Sequence, residues 1–133
     1  MPDALAVSEL DGARVSGLQG LWDEVERVLL PPGTRWGRSL DAFNDVLRGG
    51  FGTPDEGFVL RIVAAGKLRE ALGHAETARW LEGRLPDVHP GNRHVFEQRL
   101  DDARAGRGRT LFDEVLEIIG ERAGDGVTLE LVE

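Results

Sequence analysis

Hydrophobic residues recur with two different periods along the chain, and these periods predict a mixture of strands and helices. Residues 4–10 alternate loosely before the turn Asp11-Gly12, which indicates a first strand. Residues 58–63 (FVLRIV) are rich in β-formers and mostly apolar, which is typical of a buried, parallel strand. Residues 127–132 alternate cleanly and predict a terminal strand.

Between these strands, apolar residues recur every three or four positions, which is the spacing of helices that bury one face. Ser16, Ser39 and Thr110 each precede such a pattern and are predicted N-caps. Helices are predicted at about residues 16–30, 40–47, 67–72, 75–85, 92–105 and 110–123. Because helices connect every pair of strands, the pattern predicts an α/β fold with a small parallel sheet packed against helices.

Length and charge refine this prediction. The 133 residues suit one domain over 1–133. The formal net charge is −8, yet residues 74–109 contain seven Arg and six Asp or Glu, so the acidic excess lies on the flanking segments. An acidic surface disfavours direct binding of nucleic acid and favours cationic partners.

Several classes of function lack the residues that they need. The chain has no cysteine, no apolar run of membrane-spanning length and no Gly-x-x-x-x-Gly-Lys phosphate loop. The spacing of His74, His89 and His94 fits no helical metal pair. We therefore expect no metal, no cofactor and no enzymatic activity. The first ten residues lack the basic and apolar regions of a signal peptide, so we expect a cytoplasmic protein without a membrane partner.

The short helix after Ser39 carries two acids that helix stability does not explain. Asp41 lies in the first turn, where the helix dipole favours a carboxylate. Asp45 lies one turn later on the same face, and like charges at this spacing cost a few tenths of a kcal/mol. Two exposed carboxylates on a short helix can receive arginine or lysine side chains, although an ordinary solvated face explains them equally well.

Residues 36–47 (WGRSLDAFNDVL) resemble the inhibitory segment of the barstar family, whose pattern is aromatic-Gly-x-Asn-Leu-Asp-Ala-Leu-x-Asp-x-Leu. The resemblance covers about 4–73 and 110–133, so residues 74–109 are interpreted as a helical insertion before the last helix. It implies a three-stranded parallel sheet packed against helices. It also implies an intracellular inhibitor that plugs the active site of a basic, extracellular-type, guanyl-specific ribonuclease with this helix and the preceding loop.

The same resemblance assigns roles to residues of the segment. Asp45 matches the acid that occupies the phosphate site of the nuclease, and Asp41 matches a second acid of the interface. Arg35 and Asn44 match positions that carry aromatic contacts in the prototype, and Arg48 matches a small polar contact. The implied partner-binding set is Arg35, Trp36, Gly37, Arg38, Asp41, Asn44, Asp45, Arg48 and Glu121, with Glu117 as the alternative to Glu121 and Gly50 or Phe51 at the rim.

Two other functions stay open at this point. A protein of the same fold could bind another cationic partner, through the insertion for example, without inhibiting a nuclease. More remotely, Asp41, Asp45 and a histidine of the insertion could form a hydrolase site. We expect the insertion to pack beside the sheet through Trp80, Leu81, Leu85, Phe96 and Leu100.

Overall fold

A three-stranded parallel sheet lies at the centre of the fold. The computed structural model describes residues 5–49, 51–54 and 56–133. Strands β1 (Ala6–Asp11), β2 (Phe58–Val63) and β3 (Val127–Leu131) pair in the order β1-β2-β3. Both pairings are parallel. The predicted α/β fold with a small parallel sheet is confirmed.

In the described residues, six α-helices lie between the strands. They are α1 (Leu18–Leu29), α2 (Leu40–Arg48), α3 (Ala65–Ala71), α4 (His74–Arg84), α5 (Arg93–Arg104) and α6 (Leu111–Glu121). Each one lies where the apolar spacing predicts a helix, with ends that differ by a few residues. None of the helices in the described part of the chain is long and apolar enough to cross a membrane.

The helices cover only one face of the sheet. Along β2, Phe58, Leu60 and Ile62 are buried, whereas the three alternate residues are partly exposed. The strand is therefore parallel as predicted, and it is fully buried on one of its two faces. The helices lie on one face because the connection from β1 to β2 and the connection from β2 to β3 advance in the same direction along the sheet. Right-handed connections that advance in one direction all lie on the same face.

The uncovered face carries a row of charges across all three strands. Arg61 of β2 lies 2.8 Å from a carboxylate oxygen of Glu130 and 3.6 Å from one of Glu9. The hydrogen bond to Glu130 and the charge of both carboxylates raise the pKa of Arg61. Because all three side chains are at least one-third exposed, these ion pairs add little to stability, but they suit a face that contacts water.

The covered face and the helices form one main core, and the 74–109 segment adds a second, smaller core. The largest fully buried side chains of the main core include Trp22, Phe43, Phe58, Leu60, Ile62 and Leu68. The second core joins α4 to α5 through Ala78, Leu81, Leu100 and Ala103. Trp80 packs against both cores and so connects the 74–109 segment to the rest of the domain.

The 74–109 segment is helical as predicted, but it does not pack beside the sheet. Helix α4 packs against α5 and α6 instead. The buried hydroxyl of Thr77 donates to the carbonyl of Gly73 and accepts the backbone N–H of Leu111, at 2.8 and 2.9 Å. A salt bridge of 2.9 Å also joins Arg99 of α5 to Glu114 of α6.

The first turn of α1 is capped from α4. The sequence predicts Ser16 as the N-cap of α1. In the structure the N-cap is Gly17, which has no side chain that could cap the helix. Instead, the Glu76 carboxylate accepts the backbone N–H of Leu18 at 2.6 Å. The prediction of Ser16 is therefore wrong, because the capping oxygen comes from a residue distant in the sequence.

Candidate protein-binding site

Helix α2 has one buried face and one exposed face, as its sequence predicts. The side chain of Ser39 accepts the backbone N–H of Ala42 at 3.1 Å, which confirms this N-cap. Phe43, Val46 and Leu47 are buried in the main core and fix the rotation of the helix. The opposite side of α2 consequently points to solvent.

Asp41 and Asp45 lie on that exposed side, one helical turn apart. Neither carboxylate makes a hydrogen bond or an ion pair with another residue of the described part of the chain. Both negative charges therefore remain available to a partner. We call these two residues the acidic pair.

Two other predicted site residues extend the surface around the acidic pair. Arg48 is exposed in the last turn of α2 and forms no ion pair with the described residues. Asn44 is half-buried, and its Oδ1 atom is buried without a hydrogen-bond donor among those residues. This surface thus presents two free carboxylates and one free guanidinium, whereas the unpaired amide oxygen of Asn44 is buried.

The loop before α2, residues 31–39 (the site loop), directs one of its predicted contact residues into the core. Trp36 is only 8% exposed and meets Trp22 edge to face, with ring centroids 5.4 Å apart. Its indole N–H donates to Glu26 Oε1 of α1 at 2.9 Å. The side chain therefore supports the loop from inside and offers little surface to a partner.

Arg38 is also engaged within the protein. Its guanidinium donates to Asp23 Oδ1 at 2.9 Å and to Glu26 Oε2 at 2.7 Å. These contacts raise the pKa of Arg38, with Glu26 the larger cause. The hydrogen bonds from Trp36 and then Arg38 hold the pKa of Glu26 below its ordinary value.

The remaining residues of the loop face solvent. Arg35 and Gly37 are exposed, and Arg35 forms no ion pair or hydrogen bond with the described residues. A side chain at Gly37 would bring its Cβ within 3.3 Å of the Ala42 Cβ, which is a tight contact next to the start of α2. Arg35 is thus the accessible arginine of this loop, whereas Arg38 is held by α1.

The two acids considered on α6 differ in their surroundings. Glu121 is exposed and unpaired in the described part of the chain, whereas Glu117 forms an ion pair with Arg109. Gly50 and Phe51 are the two residues predicted at the rim of the site. Gly50 lies outside the described residues. Phe51 is half-buried and packs against the main core.

A cleft of about 350 Å³ brings part of the predicted site together. Asp41 and Glu121 both line it, so the acids of α2 and α6 share one depression. The facing wall comes from the 74–109 segment, with Trp80, Arg84 and Phe96. A second shallow groove is lined by Arg35, Trp36, Gly37 and Arg38, together with Thr34 and Glu26. Asp45 lines neither depression and stands on the surface beside them.

Sequence reasoning missed the residues of α1 that hold the site loop. Gln19, Asp23 and Glu26 follow one another at helical spacing, so the sequence indicates that they share a polar face of α1. It does not indicate that this face meets Arg38. No group of three or more possible metal-ligating side chains occurs among the described residues.

Comparison with known proteins covers α2 and two of the three strands of the sheet. A family model described as barstar (barnase inhibitor) matches residues 5–100, which include β1, β2, the site loop and the acidic pair. The match extends into α5 and does not include α6 or β3. No curated protein matches the chain. Because the family model covers well over half of the residues, the chain belongs to the barstar family.

Proposed function

We propose that this protein inhibits a basic ribonuclease by placing α2 and the site loop in its active site. The observation that carries the proposal is the acidic pair, Asp41 and Asp45, exposed one turn apart without a partner among the described residues. The family description, a barnase inhibitor, names a ribonuclease as the kind of partner.

The chemistry of the acidic pair suits a phosphate-binding enzyme. A ribonuclease holds the phosphates of its substrate with cationic side chains, and a carboxylate forms charge-assisted hydrogen bonds with the same donors. By its match to the family segment, Asp45 takes the phosphate position and Asp41 contacts a neighbouring cation. The inhibitor then blocks the active site sterically and performs no reaction itself.

Long-range charge supports rapid binding. The net charge of −8 attracts a basic enzyme before contact, which raises the association rate constant. Barnase and barstar are the standard example of this steering, and the mechanism reaches this chain by analogy. We place the protein in the cytoplasm, where such an inhibitor protects the cell from a nuclease made for export.

The experiment is a titration of the purified protein into a panel of basic, guanyl-specific microbial ribonucleases while cleavage of RNA is followed. We expect one enzyme to be inhibited stoichiometrically. Asp45→Ala is expected to weaken this inhibition by about 30-fold or more, since it leaves buried cations of the enzyme unpaired. Glu70→Ala is the matched control, because Glu70 is also exposed and unpaired in the described residues but lies on α3.

Two further measurements keep the result interpretable. Asp45→Ala is expected to leave the free energy of unfolding unchanged or to raise it by a few tenths of a kcal/mol, because it removes a repulsion with Asp41. Higher salt is expected to slow association with the wild-type protein more than it speeds dissociation. A loss of stability with unchanged inhibition would show that Asp45 is structural. Capture of an unrelated cationic protein without inhibition of any ribonuclease would favour a binding module.

A further inference from the structure

The site loop contains a backbone conformation that its residue does not favour. Arg38 has φ of 47°, in the left-handed region, and Ala64 is the other non-glycine residue with positive φ in the described chain. A side chain in this region costs free energy because its Cβ crowds the backbone. Other contacts must therefore hold Arg38 in place.

Those contacts all come from α1. The Arg38 guanidinium donates to Asp23 at 2.9 Å, to Glu26 at 2.7 Å, and to both the backbone carbonyl and the side-chain oxygen of Gln19 at 3.3 Å. The Arg38 side chain is one-third exposed, so water screens these contacts only in part. Glu26 also accepts the indole N–H of Trp36, so one carboxylate holds two residues of the loop.

We propose that Arg38 is a positioning residue, which fastens the site loop to α1 and holds it in the conformation that binds the partner. This inference rests on the proposed function. It gives Arg38 a different role from its neighbour Arg35, which is exposed and unpaired among the described residues. Arg35 is available for contact, whereas Arg38 acts through the loop.

A positioning role has a kinetic signature. When only a fraction of the molecules has the binding conformation, apparent affinity falls by that fraction, and the loss appears in the association rate constant. A direct contact with the partner instead affects mainly the dissociation rate constant. The two roles can thus be separated by measuring both constants.

The test measures the association and dissociation rate constants of Arg38→Ala and Arg35→Ala with the inhibited ribonuclease, by stopped-flow or surface plasmon resonance. Both variants remove one positive charge, so steering alone speeds or preserves association of each with a basic enzyme. Arg38→Ala is nevertheless expected to associate about 3- to 10-fold more slowly, with little change in dissociation. Arg38→Lys keeps the charge but lacks the planar fork of donors that reaches all of these acceptors at once, and is expected to lie in between. Faster dissociation with unchanged association would overturn the proposal.

A second measurement uses the free protein and needs no ribonuclease. Hydrogen exchange of the Trp36 indole N–H and of the loop amides is expected to be faster in Arg38→Ala and unchanged in Arg35→Ala. Unchanged exchange in both variants would refute the positioning role. If exchange is faster but no ribonuclease is inhibited, the proposed function fails while the fastening of the loop by Arg38 stands.

Discussion

The capping of α1 by Glu76 leads to a prediction about stability. The first turn of α1 contains no acidic residue, and its N-cap, Gly17, provides no side-chain oxygen. Glu76 of α4 supplies both a hydrogen-bond acceptor, 2.6 Å from the Leu18 nitrogen, and a negative charge at the positive end of the helix dipole. Glu76→Ala removes both contributions at once.

The size of the effect follows from these contacts. Loss of an N-cap acceptor costs about 0.5–2 kcal/mol, and a carboxylate at a helix N-terminus contributes about 0.3–1 kcal/mol. The Glu76 side chain is only 16% exposed, which favours the upper half of these ranges. Its ion pair with Arg79 adds little, since Arg79 is 79% exposed. We expect Glu76→Ala to lower the free energy of unfolding by about 2–3 kcal/mol, the sum of the two contributions.

The assay is urea unfolding at pH 7, followed by tryptophan fluorescence and far-UV circular dichroism. Glu76→Gln keeps an acceptor and loses the charge, so about one-third of the effect is expected. Glu82→Ala is the control, because Glu82 lies on the same helix and forms only an exposed ion pair with Arg104. If Glu76→Ala is no more destabilising than Glu82→Ala, the capping interpretation is wrong.

Two further predictions concern a buried acid and the 74–109 segment. The hydrogen bond from Arg27 is the main cause that lowers the pKa of Glu24. The ionised Glu24 carboxylate therefore stabilises the folded protein at pH values above its ordinary pKa of 4.5, and this stabilisation is lost as the pH falls through the lowered pKa. We therefore expect the urea midpoint of Glu24→Gln to lie furthest below that of the wild-type protein near pH 7, and the difference to disappear in acid. A difference that does not change with pH would contradict this. Deletion of 74–109 is feasible with a short linker, because the Leu72 carbonyl and the Phe112 N–H are hydrogen-bonded at 3.1 Å. We expect lower stability in thermal melts and retained inhibition, whereas a folded variant without ribonuclease binding would make the segment the main binding surface.

Local signals in the sequence predicted the elements that carry the site. Ser39 and Thr110 were recognisable as N-caps because a capping side chain acts within three residues of its own position. The rotation of α2 followed from its apolar spacing, which buries Phe43 and leaves the acidic pair outside. These predictions succeed because each depends on neighbours within one or two turns.

The contacts that fix the site loop could not be predicted in this way. An aromatic residue in a loop can serve a core or an interface, and only the packed structure shows Trp36 against Trp22. The cap of α1 likewise comes from Glu76, far along the chain. The single covered face of the sheet depends on the path of both connections between the strands, which the composition of β2 alone does not show.

The pairing of the strands has a consequence for how the protein folds during its synthesis. Ala6 pairs with Phe58, and Phe58 pairs with Val127, so every strand contact joins distant parts of the chain. Such non-local topology folds slowly compared with helical bundles of similar size. Until β3 leaves the ribosome, β2 has an open edge, and the core that fixes the rotation of α2 lacks α6 as well. Helix α2 therefore lacks part of the core that fixes its rotation until α6 and β3 have left the ribosome.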